Sequence, residues 1–144
     1  MGRIKLAIPA NVIGHADVAV RITDINYGHH LGNDSLISIL HEARVIWLRK
    51  NNCTELDAAG TSLIMGDLAV EYINESFYGD VLSISIAAGE VTRVSFELFY
   101  EVHTTREGKV IPIARAKTGM ICYDYSVKKV MSIPQELKDI LRAT

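Results

Sequence analysis

Between Asp24 and Lys50 the chain reads DINYGHHLGNDSLISILHEARVIWLRK, and most of its chemically capable side chains crowd the start of that run. Asp24, Asn26, Tyr27, His29, His30, Asn33 and Asp34 supply carboxylate, amide, phenol and imidazole groups, punctuated by Gly28 and Gly32. A carboxylate can serve as base or nucleophile, and an amide or imidazole can orient water. The stretch then runs straight into a helical pattern, whose first N–H groups have no partner within the helix and hold developing negative charge well. Gly32 at that junction lets a substrate approach the backbone. Glu42, further along the helix, is a second carboxylate that has to be paired, solvated or used.

Each of these residues also has a plainer use. Asp24 and Asn26 suit turns in which a short side chain bonds its own loop. Asn33 or Asp34 suits the N-cap of the helix. His29 fits a solvated loop, Tyr27 fits packing or the lining of an acyl pocket, and Glu42 fits a salt bridge to Arg44, Arg49 or another subunit. A metal site of His29, His30 and Asp34 is disfavoured, because adjacent loop histidines seldom point at one ion and no further ligand is suitably spaced. No GxSxG elbow is present. Cys53 and Cys122 stand far apart without metal-like spacing, as expected of reduced thiols.

The elements that position these groups follow from periodicity. Leu36, Leu40, Ala43 and Trp47 share one helical face, flanked by Ile39 and Ile46, and this arc is wide enough to predict a largely buried helix. Arg44, Arg49 and Lys50 carry positive charge toward its C-terminal end. Alternation predicts a half-buried strand over 15–23, then strands over Leu63–Ile73, Val81–Ala88, Val94–Val102 and Val110–Tyr125. Gly66 and Pro112 mark expected bulges or edges. Gly89-Glu90 and Arg106-Glu107-Gly108-Lys109 read as turns, and Pro134 opens a short helix to about Arg142. The order strand, long helix, four hairpin-linked strands, short helix predicts an α+β fold in which an antiparallel sheet curls around the long helix. Unprotected sheet edges on so apolar a chain, 49% hydrophobic, point to a homo-oligomer.

Composition narrows the function. The 144 residues form one expected domain, and the formal net charge of -2 gives no electrostatic case for nucleic acid or membrane binding. There is no run of roughly 20 apolar residues of the kind a membrane span requires, and no convincing secretory signal. A cytoplasmic protein is the expectation.

In this order and spacing, three stretches and the closing segment resemble the hotdog-fold thioesterases of the 4-hydroxybenzoyl-CoA thioesterase-like branch. Asp24 to Asn33 is similar to the acidic loop that precedes the family's central helix. Leu40-His41-Glu42-Ala43-Arg44 is similar to a Glu-Glu-Ala-Arg segment within it. Val70-Glu71-Tyr72 followed by Gly79-Asp80 is similar to a strand-turn-strand signature, and Ile133-Pro134-Gln135-Glu136-Leu137 to a closing Ile-Pro-x-x-Leu. The loop departs from the pattern, since many members have Asp, two residues, then Gly, whereas Asp24 precedes Gly28 by one residue more. Compared with the Asp-x-Asn-x-His-Val-Asn-Asn run of plant acyl-carrier-protein thioesterases, Asp24 and Asn26 match the start and His30-Leu31-Gly32-Asn33 the end.

The resemblance implies a single hotdog domain over 1–144, with a five-stranded curled sheet around one central helix. It also implies a homodimer, or a tetramer of two dimers, with active sites at the subunit interface. The implied reaction is hydrolysis of an acyl-CoA or acyl-carrier-protein thioester without metal or separate cofactor, coenzyme A being part of the substrate. Thiols have a pKa of about 8.5, so the thiolate leaves without a strong general acid. The expected catalytic set is Asp24, Asn26 and His30, with Glu42 as the reserve carboxylate. Tyr27, Gly28, His29, Leu31, Gly32, Asn33 and Asp34 are expected to contact substrate. The competing readings are a non-catalytic hotdog module that binds an acyl ligand or serves assembly, and a dehydratase or hydratase on the same fold.

Overall fold

A computed structural model describes residues 2–142. Its centre is helix α1 (Asn33–Lys50), which buries Leu36, Ile39, Leu40, Ala43, Trp47 and Leu48. Burying each large side chain is worth about 1.5–3 kcal/mol, enough to hold the helix against the sheet without help from propensity. The N-cap is Gly32, in extended conformation, rather than Asn33 or Asp34. The Asp34 carboxylate instead accepts from the N–H of Ser35. Arg44, one of the positive charges expected toward the C-terminal end, is buried as well.

Five long strands and one short one form the sheet: β1 (Val12–Ala19), β2 (Ser62–Tyr72), β3 (Val81–Val91), β4 (Ser95–Arg106), β5 (Lys109–Asp124) and β6 (Lys129–Val130). Their order is β1-β3-β4-β5-β2, all neighbours antiparallel, with β6 beside β5. Only β3, β4 and β5 are hairpin-linked in the predicted way. β2 does not pair with β3; it lies at the far edge against β5, while β1 takes the place beside β3. That arrangement lets the sheet reach both flanks of α1. Trp47 packs on Gly14 of β1, Arg44 reaches Tyr100 of β4, and Tyr72 of β2 bonds the first helical residue. A Cβ at Gly14 would lie 2.5 Å from Trp47 Cδ1, so this contact depends on the missing side chain.

Inward-facing Leu82, Ile84, Ile86, Phe96, Leu98 and Tyr100 alternate with outward residues as period two demands. The register slips at Gly66 in β2 and opposite Pro112 in β5, as those residues predicted. Gly89 and Glu90 lie within β3, where a register irregularity absorbs them, rather than in a turn. β1 ends at Ala19, short of the predicted 23, because Ile22–Asp24 fold into a 3-10 turn. A closing helix, α2 (Gln135–Arg142), buries Leu137 and Leu141. β1 and β2 are the two sheet edges. No helix among the described residues is long and apolar enough to cross a membrane.

Candidate active site

The loop before α1 folds back on itself. The N–H of Asn26 donates to the carbonyl of His30 (2.9 Å), and that of His29 to the carbonyl of Asn26 (3.1 Å). His29 sits in the left-handed region at φ 66, which closes the turn. Asn26 Oδ1 accepts from the N–H of Gly28 at 2.9 Å. A Cβ on Gly28 would lie 3.2 Å from His30 Nε2 and 3.3 Å from Asn26 Oδ1, so this glycine sits against both side chains. The N–H of Leu31 donates to the carbonyl of Ser76 at 2.7 Å, tying the loop to the turn that follows β2.

Asp24 meets the helix start only through its main chain, its carbonyl accepting from the N–H of Gly32 at 2.9 Å. Its buried carboxylate turns to Arg21, accepting from that residue's N–H (2.8 Å), Nε (3.3 Å) and Nη2 (3.2 Å). Burial pushes this carboxyl's pKa up, but the hydrogen bonds and charge of Arg21 outweigh it and hold it below the ordinary carboxylate range. The expected meeting of the Asp24 carboxylate with the first-turn amides is therefore not what the fold produces. Glu42 is exposed and borders a different groove, on the β1 side, with Asp17, Arg21 and Ser38.

A cavity of about 180 Å³ does open at the helix start, between α1 and the end of β2. Its walls include His30, Asn33, Leu36, Tyr72, Glu75 and Ile113. Among the described residues, the backbone N–H groups of Asn33 and Asp34 have no acceptor. The Tyr72 hydroxyl donates to the Asn33 carbonyl at 2.9 Å, and burial, followed by the nearby Asp34 charge, raises its pKa. His30 Nδ1 lies 3.2 Å from the Leu31 carbonyl, and Nε2 lies 4.0 Å from Glu75 Oε1. The tautomer that donates Nδ1–H to that carbonyl leaves Nε2, on the Glu75 side of the ring, as the basic nitrogen.

The cavity's second wall depends on Asp80. Asp80 Oδ2 accepts from Ser76 Oγ (2.7 Å), the N–H of Phe77 (2.9 Å) and Arg106 Nη2 (2.5 Å). Arg106 foremost, against some opposing burial, holds this carboxyl down to about 2.

Of the expected residues, His30, Leu31, Gly32 and Asn33 line the cavity, whereas Gly28 and Asp34 are not among its walls. Asn26 stands behind, against Gly28 and Gly32. Tyr27 is 99% exposed and His29 is also exposed, both away from the cavity wall. Sequence reasoning missed Glu75 and Ser76 as wall residues, since they arrive from a turn distant in sequence. Among the described residues, no three His, Cys, Asp or Glu side chains converge as a metal ion would require.

This combination of a curled sheet and a central helix has counterparts. The sequence profile of the thioesterase-like superfamily matches residues 20–141. The chain thus belongs to the thioesterase-like superfamily. No curated protein sequence matches it. Among solved structures it resembles a 1,4-dihydroxy-2-naphthoyl-CoA thioesterase from Synechocystis (TM-score 0.77, 17% identity, covering 89% of this chain and 94% of that one). It likewise resembles the 4-hydroxybenzoyl-CoA thioesterase of Pseudomonas sp. strain CBS-3 (0.77, 17%, 91% and 99%). A third is a mutant 4-hydroxybenzoyl-CoA thioesterase complexed with 4-hydroxybenzoyl-CoA (0.79, 18%, 92% and 99%). At these identities the likeness establishes the hotdog fold.

Proposed function

We propose that this protein hydrolyses acyl thioesters of the coenzyme A type, at the cavity where α1 begins. The observation that carries this is the pair of unpartnered N–H groups of Asn33 and Asp34, beside a cavity that His30 also lines. The thioester carbonyl oxygen rests on those donors, which gain most when it becomes an oxyanion. His30 Nε2 takes a proton from water as the water oxygen bonds the carbonyl carbon. The tetrahedral adduct then expels the thiolate, breaking the C–S bond, and the proton on His30 passes to the sulfur. Glu75 stabilises the transient imidazolium, and Asn26 positions the ring from across Gly28. Asp24 anchors the loop through its carbonyl and Arg21, and Glu42 stays outside the reaction. The similar structures that act on or hold aromatic acyl-CoA substrates support CoA as the carrier.

The active unit is a homodimer joined through an edge strand. β2 is favoured because it is a sheet edge whose last residue, Tyr72, borders the cavity. The test is thiol release from a panel of acyl-CoAs, with wild type and His30→Gln compared. Wild-type turnover falling on the order of 10²–10⁴-fold in His30→Gln, at unchanged melting temperature, supports the assignment. No turnover on any substrate defeats it. One observation favours the alternative, a non-catalytic acyl-binding module: the Asp24 carboxylate of the loop is bound up by Arg21. Tight acyl-CoA binding without thiol release identifies that case.

A further inference from the structure

A second cavity, of about 140 Å³, lies further along the same seam between α1 and β2, and it differs from the first in its floor. Its walls are Ile37, Leu40, Met65 and Leu68, and its polar members include Arg44 and Thr118. On the helix, Asn33, Ile37, Leu40 and Arg44 follow one another at four- and three-residue spacing, with Leu36 beside Ile37, so one stripe runs past both cavities. On the strand, Tyr72 borders the first and Leu68 and Met65 the second. From the open amides to Arg44 the helix advances roughly 15 Å, and its side chains lean back toward the N-terminus.

Arg44 is only 6% exposed. Its Nε donates to Glu55 Oε2 (3.0 Å) and its Nη1 to the Tyr100 hydroxyl (3.1 Å), which in turn pairs with Thr118 Oγ1 (2.8 Å). The other Glu55 oxygen is bonded by His41. Nη2 has no acceptor among the described residues. A guanidinium has five N–H donors, and Nη2 is not among the fully enclosed atoms that lack a partner, so it is open to a further acceptor. Because Glu55 already balances its charge, what the floor lacks is an acceptor oxygen rather than a counter-ion.

We propose that the substrate's acyl group lies along this seam and ends in an oxygen function received by Arg44 at the second cavity. The apolar walls fit a chain or ring, and the floor fits a hydroxyl or carboxylate at its far end. In naming a substrate, this rests on the hydrolase reading above. The site itself does not depend on turnover.

The experiment separates the two. Calorimetric titration of the full chain uses three medium-chain acids of equal length, each with its head carboxyl capped as the N-methyl amide, tipped by methyl, hydroxyl or a carboxylate. At least one oxygen-tipped acid should bind tenfold or more tightly than the methyl-tipped one, and which one identifies the oxygen function. Arg44→Met should erase that ratio. Since it also strips Glu55 and Tyr100 of a partner and can fail to fold, Leu68→Trp, which fills the seam, should weaken the oxygen-tipped acid at least tenfold. Equal binding of all three acids, preference for the methyl tip, or no binding overturns the proposal. Selective binding without cleavage of the matching thioesters leaves it standing and defeats the hydrolase reading. Fastest turnover of methyl-tipped thioesters, with no oxygen preference in binding, does the reverse.

Discussion

Replacing Asp24 with Asn separates the two roles open to a buried carboxylate beside this helix start. The carboxylate accepts three hydrogen bonds, all from Arg21, and borders no part of the cavity. The backbone bond at 2.8 Å is the one that matters for stability, because the Arg21 side chain is mostly exposed and its ion pair is screened by solvent. An Asn oxygen can still accept that bond but without charge assistance, a loss of about 1 kcal/mol. For a chain of this size, that lowers the melting temperature by about 2–4 °C. Catalysis, measured as thiol release under saturating acyl-CoA, should fall by less than about tenfold, whereas loss of a working base costs about 10²–10⁴. The pH dependence has a definite sign. The carboxyl is held below its unfolded value of about 3.9, so its contribution is complete above that pH and disappears as pH falls through the lowered folded value. In Asp24→Asn that acid-side loss should be absent. A thousand-fold drop in kcat with an unchanged melting temperature would refute the placement of this carboxylate outside the reaction.

Other perturbations follow from the same contacts. Asp80→Asn should destabilise the protein by about 1 kcal/mol once screening is allowed for. Because Asp80 is depressed to about 2, wild type should lose this advantage between about pH 4 and pH 2, so urea midpoints of the two proteins converge there. Gly32→Ala puts a Cβ 2.9 Å from Asp34 Oδ1 at a φ of -70 that alanine tolerates, so the fold should persist. The methyl crowds the approach to the open amides, and kcat/KM should drop about 10–100-fold, within the span of losing one oxyanion donor. Unchanged kinetics would count against that approach. Gly14→Ala forces a Cβ onto Trp47 and should cost about 1–3 kcal/mol by chemical denaturation, with kcat unaltered.

Local pattern made the helix and most strand positions readable. Leu36, Leu40, Ala43 and Trp47 lie where the wheel put them, and Gly66 and Pro112 mark real register slips. Long-range choices were not readable. Nothing in residues 62–72 says that they pair with β5 rather than β3, because an alternating strand fits either neighbour. The loop's composition marked the region of the site, but not its orientation. Arg21, three residues before Asp24, was the available signal that the carboxylate had a local partner. Glu75 carries no mark of its own in sequence, since its nearness to His30 arises only when the turn after β2 folds under the helix start. Arg44 read as a terminal cation, and only the packing of Tyr100 and Glu55 around it reveals a buried donor group.

The packing of Trp47 on Gly14 also provides a natural spectroscopic probe. It is the chain's single tryptophan, and it sits fully enclosed near the far end of the helix from the cavity. Its emission will track the integrity of the interior while remaining nearly indifferent to what occupies the helix start. Fluorescence denaturation curves can therefore be recorded without an added label, and the stability of the variants that keep this tryptophan single and leave Gly14 in place can be compared on one scale.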